Sequence, residues 1–230
     1  MAEGRLFIGT RRYSSWSLRG WLAVQLAGLD VDDVVIPLVG SGPGSTAEII
    51  KHSPSGLVPY LEHDGQRIWE TLAICEYCAE KQPALWPDAL PARTRARVIS
   101  AEMHASFRGV RQAMPMVLGR NAAGLGRTEA ALADIARIEA IWQETRASYG
   151  GGGPFLFGAG FGAADAMYAP IVTRFLTYRP DLSAESWAYC EAVRAHPLME
   201  RWYALAAAEP LEWRLPHYES AGLPAPGAAA

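Results

Sequence analysis

Strand-like patterning in this chain of 230 residues ends before residue 70. Beyond residue 90 the apolar spacing is helical throughout. A chain divided in this way cannot build one large sheet. It calls for a small mixed sheet with helices packed on it, followed by a separate bundle of helices.

The first part reads as β-α-β-(α)-β-β-α. Leu6-Phe7-Ile8 is a short apolar run closed by Gly9. Leu18, Leu22, Leu26 and Leu29 follow at helical spacing, with serines at 14, 15 and 17 supplying cap chemistry. Val34-Val35-Ile36 is a second strand, and Gly40 to Ser45 a loop. A short helix is expected from Thr46 to Lys51. Val58 to Glu62 and Arg67 to Trp69 flank Asp64-Gly65, a dipeptide suited to the positive φ of a tight hairpin turn. Helical spacing resumes from Thr71.

The second part opens at Pro91, which can start a helix because its missing N–H would have no partner there. That helix is expected to carry Met103, Phe107, Val110 and Met114 on one stripe. Leu132, Ile135, Ile138 and Trp142 form another stripe, stopped by the four glycines 150–153. Gly162 to Leu176, Ser183 to His196 and Pro197 to Ala208 complete the helices. The expected division is an α/β domain over 1–82, a linker rich in proline, an all-α domain over 92–219, and a disordered tail over 220–230.

Composition removes other classes. Half the residues are hydrophobic and 20% are charged, ordinary for a globular core. The net charge of −3 gives no basic excess for nucleic acid. No apolar run approaches a membrane span, and the first residues lack a signal-peptide layout. Three cysteines make no disulfide framework, and the odd count fits a reducing, cytoplasmic setting.

Three local features carry chemistry. Ser14-Ser15-Trp16-Ser17 lies where the first strand meets the first helix, so its hydroxyls stand at the positive end of a helix dipole. Gly56-Leu57-Val58-Pro59 leads into a strand, and Pro59 belongs at its start because proline cannot donate to a ladder. Trp69-Glu70-Thr71 places an acid and a hydroxyl where the hairpin meets a helix, a position that can cap the helix or hold a ligand's ammonium and carboxylate.

In order and spacing these features resemble the cytosolic glutathione transferases, with a thioredoxin-like N-terminal domain and a helical C-terminal domain. Phe155-Leu156-Phe157-Gly158 and Phe161-Gly162-Ala163-Ala164-Asp165 resemble that family's helical-domain motif, in which the aspartate is structural. The serines are most similar to the zeta class. The resemblance covers roughly residues 5–208 and implies a serine-type transferase that joins glutathione, its co-substrate, to a small electrophile. Its zeta pattern points to Ser14 as the group that stabilises the thiolate, with Ser15, one residue nearer the helix, as the alternative. Val58 and Pro59 would then hold the cysteinyl backbone of glutathione, and Glu70 and Thr71 its γ-glutamyl end. No metal is implied, and a homodimer is. Glutathione-dependent cis–trans isomerisation, as in maleylacetoacetate isomerases, is an alternative, although Trp16 stands at the zeta cysteine. A ligand-binding or partner-binding relative without turnover is a third reading.

Leu57 stands where many relatives have lysine, which leaves His52, Arg11 and Arg12 as candidates for the glycyl carboxylate. Cys75-x-x-Cys78 lies inside a later helix and reads as core thiols. Arg97, Ser100, His104, Arg108 and Arg111 share a stripe read as a solvated face, with a lining of the substrate cleft or of a dimer cavity as the alternative. His63, His196 and His217 lack metal spacing. Trp213 and Tyr218 are candidates for the electrophile pocket.

Overall fold

A computed structural model of the protein describes residues 2–38 and 47–220. The Gly40–Ser45 loop, Thr46, and the tail beyond Ser220 lie outside the described residues. Four strands, β1 (Gly4–Gly9), β2 (Val31–Ile36), β3 (Tyr60–His63) and β4 (Gln66–Trp69), form one sheet in the order β2-β1-β3-β4. β1 runs parallel to β2 and antiparallel to β3, and β3 to β4 is the hairpin turned by Asp64 and Gly65, both at positive φ. The expected thioredoxin-like topology is therefore present. β3 starts at Tyr60, two residues later than expected, because Pro59 has no N–H for the ladder. The Val58–Pro59 bond is cis.

Helices α1 (Ser15–Leu26), α2 (Ala47–His52) and α3 (Thr71–Lys81) accompany the sheet. The rest of the described chain is helical, with α4 (Leu90–Ala105), α5 (Arg108–Ala113), α6 (Glu129–Tyr149), α7 (Ala163–Tyr178), α8 (Ala184–Arg194), α9 (Pro197–Ala207) and α10 (Pro216–Ser220). No helix among the described residues is long and apolar enough to cross a membrane. One continuous apolar core runs from Leu6 and Leu18 through Ile74 to Trp142, Phe175 and Trp202. Trp187 is only partly buried against it. At the centre, α7 is buried on nearly every side and packs on α1, α4 and α8.

Two expectations are corrected. The helix opened by Pro91 is two helices, broken at Phe107, which is left-handed at φ 65°. Met103, Phe107, Val110 and Met114 are all buried as expected, but by α4, the break and α5 together. The break lets Gly109 approach the backbone of Ala130, where a Cβ would meet Ala130 C at 2.5 Å, and lets Asp134 of α6 accept from Val110 N at 3.0 Å. Leu132 is 47% exposed; the buried stripe of α6 runs through Ala131, Ile135, Ile138, Ile141 and Trp142.

Asp165 plays the expected structural part. It is buried and accepts from Gly162 N at 3.0 Å, Leu156 N at 3.1 Å and Tyr189 OH at 3.0 Å. Desolvation nevertheless pushes its carboxyl up to about 6.

Candidate functional site

A cleft of about 510 Å³ opens between the sheet domain and the helices. All six residues singled out in the sequence, Ser14, Ser15, Val58, Pro59, Glu70 and Thr71, line it. Topology explains the convergence. Ser14 and Ser15 follow β1, Pro59 precedes β3, and Glu70 follows β4, so three neighbouring strands deliver their ends to one edge of the sheet.

The two serines differ in what already occupies them. Ser14 is the N-cap of α1: its Oγ accepts from Ser17 N at 3.3 Å and donates to Ser17 Oγ at 2.7 Å. Ser17 Oγ also accepts from Gly9 N at 2.9 Å, which ties the cap to the end of β1. Ser15 is the first residue of α1, and its hydroxyl has no hydrogen bond among the described residues. Glu70 precedes α3 at φ 66° and makes no side-chain cap there. Its carboxylate lies 3.5 Å from His104 Nε2 and is more than half exposed.

The opposite wall was foreseen only as the lesser reading of the Arg97–Arg111 stripe, and Arg174 not at all. His104, Arg111 and Arg174 line the same cleft, from α4, α5 and α7. The stripe from Arg97 to Arg111 is thus a solvated face only at Arg97 and Arg108. Ser100 is fully buried, Arg97 pairs with Glu76 on the surface, and His104 and Arg111 turn into the cleft. Arg19, fully buried in α1, donates to Met167 O at 2.7 Å and to Ser15 O at 3.4 Å. Arg174 donates to Met114 O at 2.8 Å and Pro170 O at 3.0 Å. The guanidiniums of Arg19 and Arg111 each lie 4.7 Å from the Trp16 ring centre, and His104 meets that ring edge-on.

Among the described residues, none of these three arginines has a carboxylate within ion-pair distance. Burial and mutual repulsion pull Arg19 well below the ordinary arginine range and Arg174 down to about 9. Burial likewise lowers Arg111 and His104. Arg19 Nη2 and Arg111 Nη1 are buried donors without a partner. Buried cations without a counter-charge are costly, and such groups lining a cleft are candidates for a functional site.

Arg11, Arg12 and His52 do not line the cleft and are corrected as candidates for a carboxylate there. Arg11 pairs with Asp33 at 2.8 Å and Glu209 at 3.6 Å, and Arg12 with Glu219 at 2.6 Å. His52 stacks on Phe7 and lies 3.4 Å from Glu48. Tyr218 lines the cleft and Trp213 does not. Cys75, Cys78 and Cys190 are free, buried thiols, and burial pushes Cys78 up to about 12. His63 has neighbours that linear spacing concealed. The Gly4–His63 register brings Glu3 beside it, so that Glu3, His63 and Asp64 cluster at the hairpin end of β3.

Comparison with known proteins agrees with this geometry. The glutathione S-transferase N-terminal domain family matches residues 13–81, and the glutathione S-transferase C-terminal domain family matches residues 111–207. The chain is 36% identical over 91 residues to the maleylacetoacetate isomerase of Rhizobium meliloti (strain 1021), a match spanning 38% of this chain and 41% of that protein. Its fold is similar to a holo maleyl pyruvate isomerase described as a bacterial zeta-class glutathione S-transferase (TM-score 0.67, 22% identity, 90% of this chain and 98% of that one). It is also similar to a glutathione transferase homologue from Burkholderia with bound glutathione (0.66, 20%, 90% and 99%). A third likeness is to the theta-class enzyme of Xanthomonas axonopodis pv. citri, also with glutathione bound (0.63, 20%, 88% and 98%). With both of its halves matched in order, the chain belongs to the glutathione S-transferase family.

Proposed function

We propose that this protein activates glutathione within residues 1–82 and directs its thiolate onto a small anionic electrophile held against residues 92–219. The observation that carries the reading is one cleft with a glutathione-type wall of Ser14, Ser15, Val58, Pro59, Glu70 and Thr71, facing unpaired Arg111 and Arg174. Glu70 would take the γ-glutamyl ammonium and Thr71 its carboxylate. The Val58 backbone would pair with the cysteinyl unit like an added strand. The sulfur would then rest at the N-terminus of α1.

A cysteine-type thiol has a pKa of about 8.5, and lowering it by about 2 takes about 2.7 kcal/mol. One hydrogen bond to the charged sulfur supplies about 1.5–3 kcal/mol, and the helix N-terminus about 0.3–1 kcal/mol. Together they suffice without a metal. We assign the donor to Ser15, whose proton is uncommitted, and the helix cap to Ser14. In conjugation the thiolate forms a C–S bond to an electrophilic carbon; in an addition the neighbouring carbon of the former double bond takes up a proton, and in a substitution the attacked carbon itself expels its leaving group.

Isomerisation is the second reading, favoured by the arginine wall and by similarity to maleylacetoacetate isomerase. There the thiolate adds to a conjugated double bond, the new single bond rotates, and the thiolate leaves again, so nothing is consumed. Glutathione titration by calorimetry tests both readings. Binding by the wild type is expected. No binding at millimolar glutathione would overturn them and leave a relative without turnover. Product analysis with a maleyl-substituted keto acid then separates conjugate from isomer.

A further inference from the structure

The C-terminal segment is fastened across the loop that carries the serines. Arg12 donates from Nε to Glu219 Oε1 at 2.6 Å and from Nη2 to Oε2 at 2.9 Å. Tyr13 OH donates to Glu219 Oε1 at 2.5 Å and accepts from Leu215 N at 3.0 Å. Leu215 is buried against Tyr13 and Val117, and the Tyr218 ring stacks on Tyr13 at 5.4 Å. Arg120 donates to Tyr218 O at 3.0 Å, which fixes the strap from the second domain. Nearer its start, Glu209 accepts from the backbone N–H groups of Arg11 and Arg12.

This fastening has a cost in chain entropy that a frayed end would avoid. What it delivers is Tyr218, which lines the cleft together with Arg174. The Tyr218 hydroxyl has no hydrogen-bond partner among the described residues, although its ring, backbone carbonyl and neighbours are all fixed. A phenol held in place beside uncompensated guanidiniums adds a neutral donor at the point where an anion would settle. It also raises no further like-charge repulsion among Arg19, Arg111 and Arg174.

We propose that Tyr218 is a specificity-determining residue for the anionic substrate, presented at the arginine wall by a C-terminal strap that Glu219 latches to the serine loop. The proposal rests on the reading of the cleft given above. Calorimetry with two probes tests it: S-(1,2-dicarboxyethyl)glutathione, which adds carboxylates at the sulfur, and S-methylglutathione, which does not. The wild type is expected to prefer the dicarboxyethyl probe. Tyr218→Phe should cut that preference about tenfold, equivalent to about 1.4 kcal/mol. Glu219→Gln should cut it in the same direction and add little on top of Tyr218→Phe, because both changes act on one contact. Melting curves check that each variant is folded. A folded Tyr218→Phe protein that keeps the whole preference overturns the strap proposal alone. Equal binding of both probes by the wild type overturns the anionic subsite and the strap with it. Binding of neither probe overturns the glutathione reading itself.

Discussion

Replacing Ser14 and Ser15 one at a time separates two functions that adjacent hydroxyls would otherwise confuse. Ser14→Ala removes the acceptor for Ser17 N and the partner of Ser17 Oγ. Loss of such a cap costs about 1 kcal/mol of stability. Ser15→Ala removes a hydroxyl that has no partner among the described residues, so stability should stay within about 0.5 kcal/mol. The effects on bound glutathione should run the other way. Ser15→Ala removes a hydrogen bond to a charged sulfur worth about 1.5–3 kcal/mol, which raises the bound thiol's pKa by about 1–2. Ultraviolet absorbance of the thiolate, followed against pH in the binary complex, reads that pKa directly. At pH 7 a bound thiol moved from about 6.5 to about 7.5–8.5 loses thiolate about threefold to 25-fold, so turnover should fall by about that factor and recover as the pH rises past the new pKa. A thiol pKa unchanged in Ser15→Ala and raised in Ser14→Ala would refute the assignment and give the donor role to Ser14.

Other outcomes follow from the same structure. Arg111→Met should weaken binding of S-(1,2-dicarboxyethyl)glutathione about tenfold or more by calorimetry, since it removes a charge from the cleft. It should change the melting temperature little, because relief from a desolvated cation is set against loss of its donations to Ser106 O and Met103 O. Asp165→Ala strands three buried donors, each costing about 1–3 kcal/mol. Against this stands relief of on the order of 3 kcal/mol, the cost of holding the carboxylate ionised at neutral pH when its pKa is about 6 rather than 3.8. Net destabilisation of a few kcal/mol is therefore expected in urea titrations. That same raised pKa sets a sign. Between about pH 4 and 6 the folded state binds more protons than the unfolded one at this site, so its contribution falls as pH rises. Asp165→Asn should flatten that part of the stability profile. Leu90 and Val98, two turns apart on α4, are 67% and 53% exposed. If the expected homodimer covers them, Val98→Glu should sediment as a monomer where the wild type sediments as a dimer.

What was legible in the sequence was local. The Asp64-Gly65 turn, the serines before α1, Pro59 ahead of β3 and Glu70 ahead of α3 each declare themselves within a few residues. Their union in one cleft follows once the strand order is known. The arginine wall could not be read this way. Arg19, Arg111 and Arg174 come from three helices that meet only through tertiary packing, and each one alone looks like a surface residue of an amphipathic helix. The signal available was the residues around Arg174, whose neighbours on every side of α7 are apolar, so a charge there has no water to face. The break at Phe107 was hidden for a related reason. The apolar stripe from Met103 to Met114 is satisfied by a continuous helix and by a broken one alike, and the decision lies with Gly109 against Ala130 and with Asp134 of α6, which accepts from Val110 N of α5.

The burial of every cysteine bears on what this protein can survive. Cys75, Cys78 and Cys190 are fully shielded, and burial raises the pKa of each thiol. Nucleophilic sulfur belongs to thiolates that reagents can reach. Under the proposed function, the reactive thiol of the cleft is one that arrives with glutathione and departs with it. Iodoacetamide should leave the intact mass of the native protein unchanged, because no thiol of the chain itself offers such a reagent a foothold.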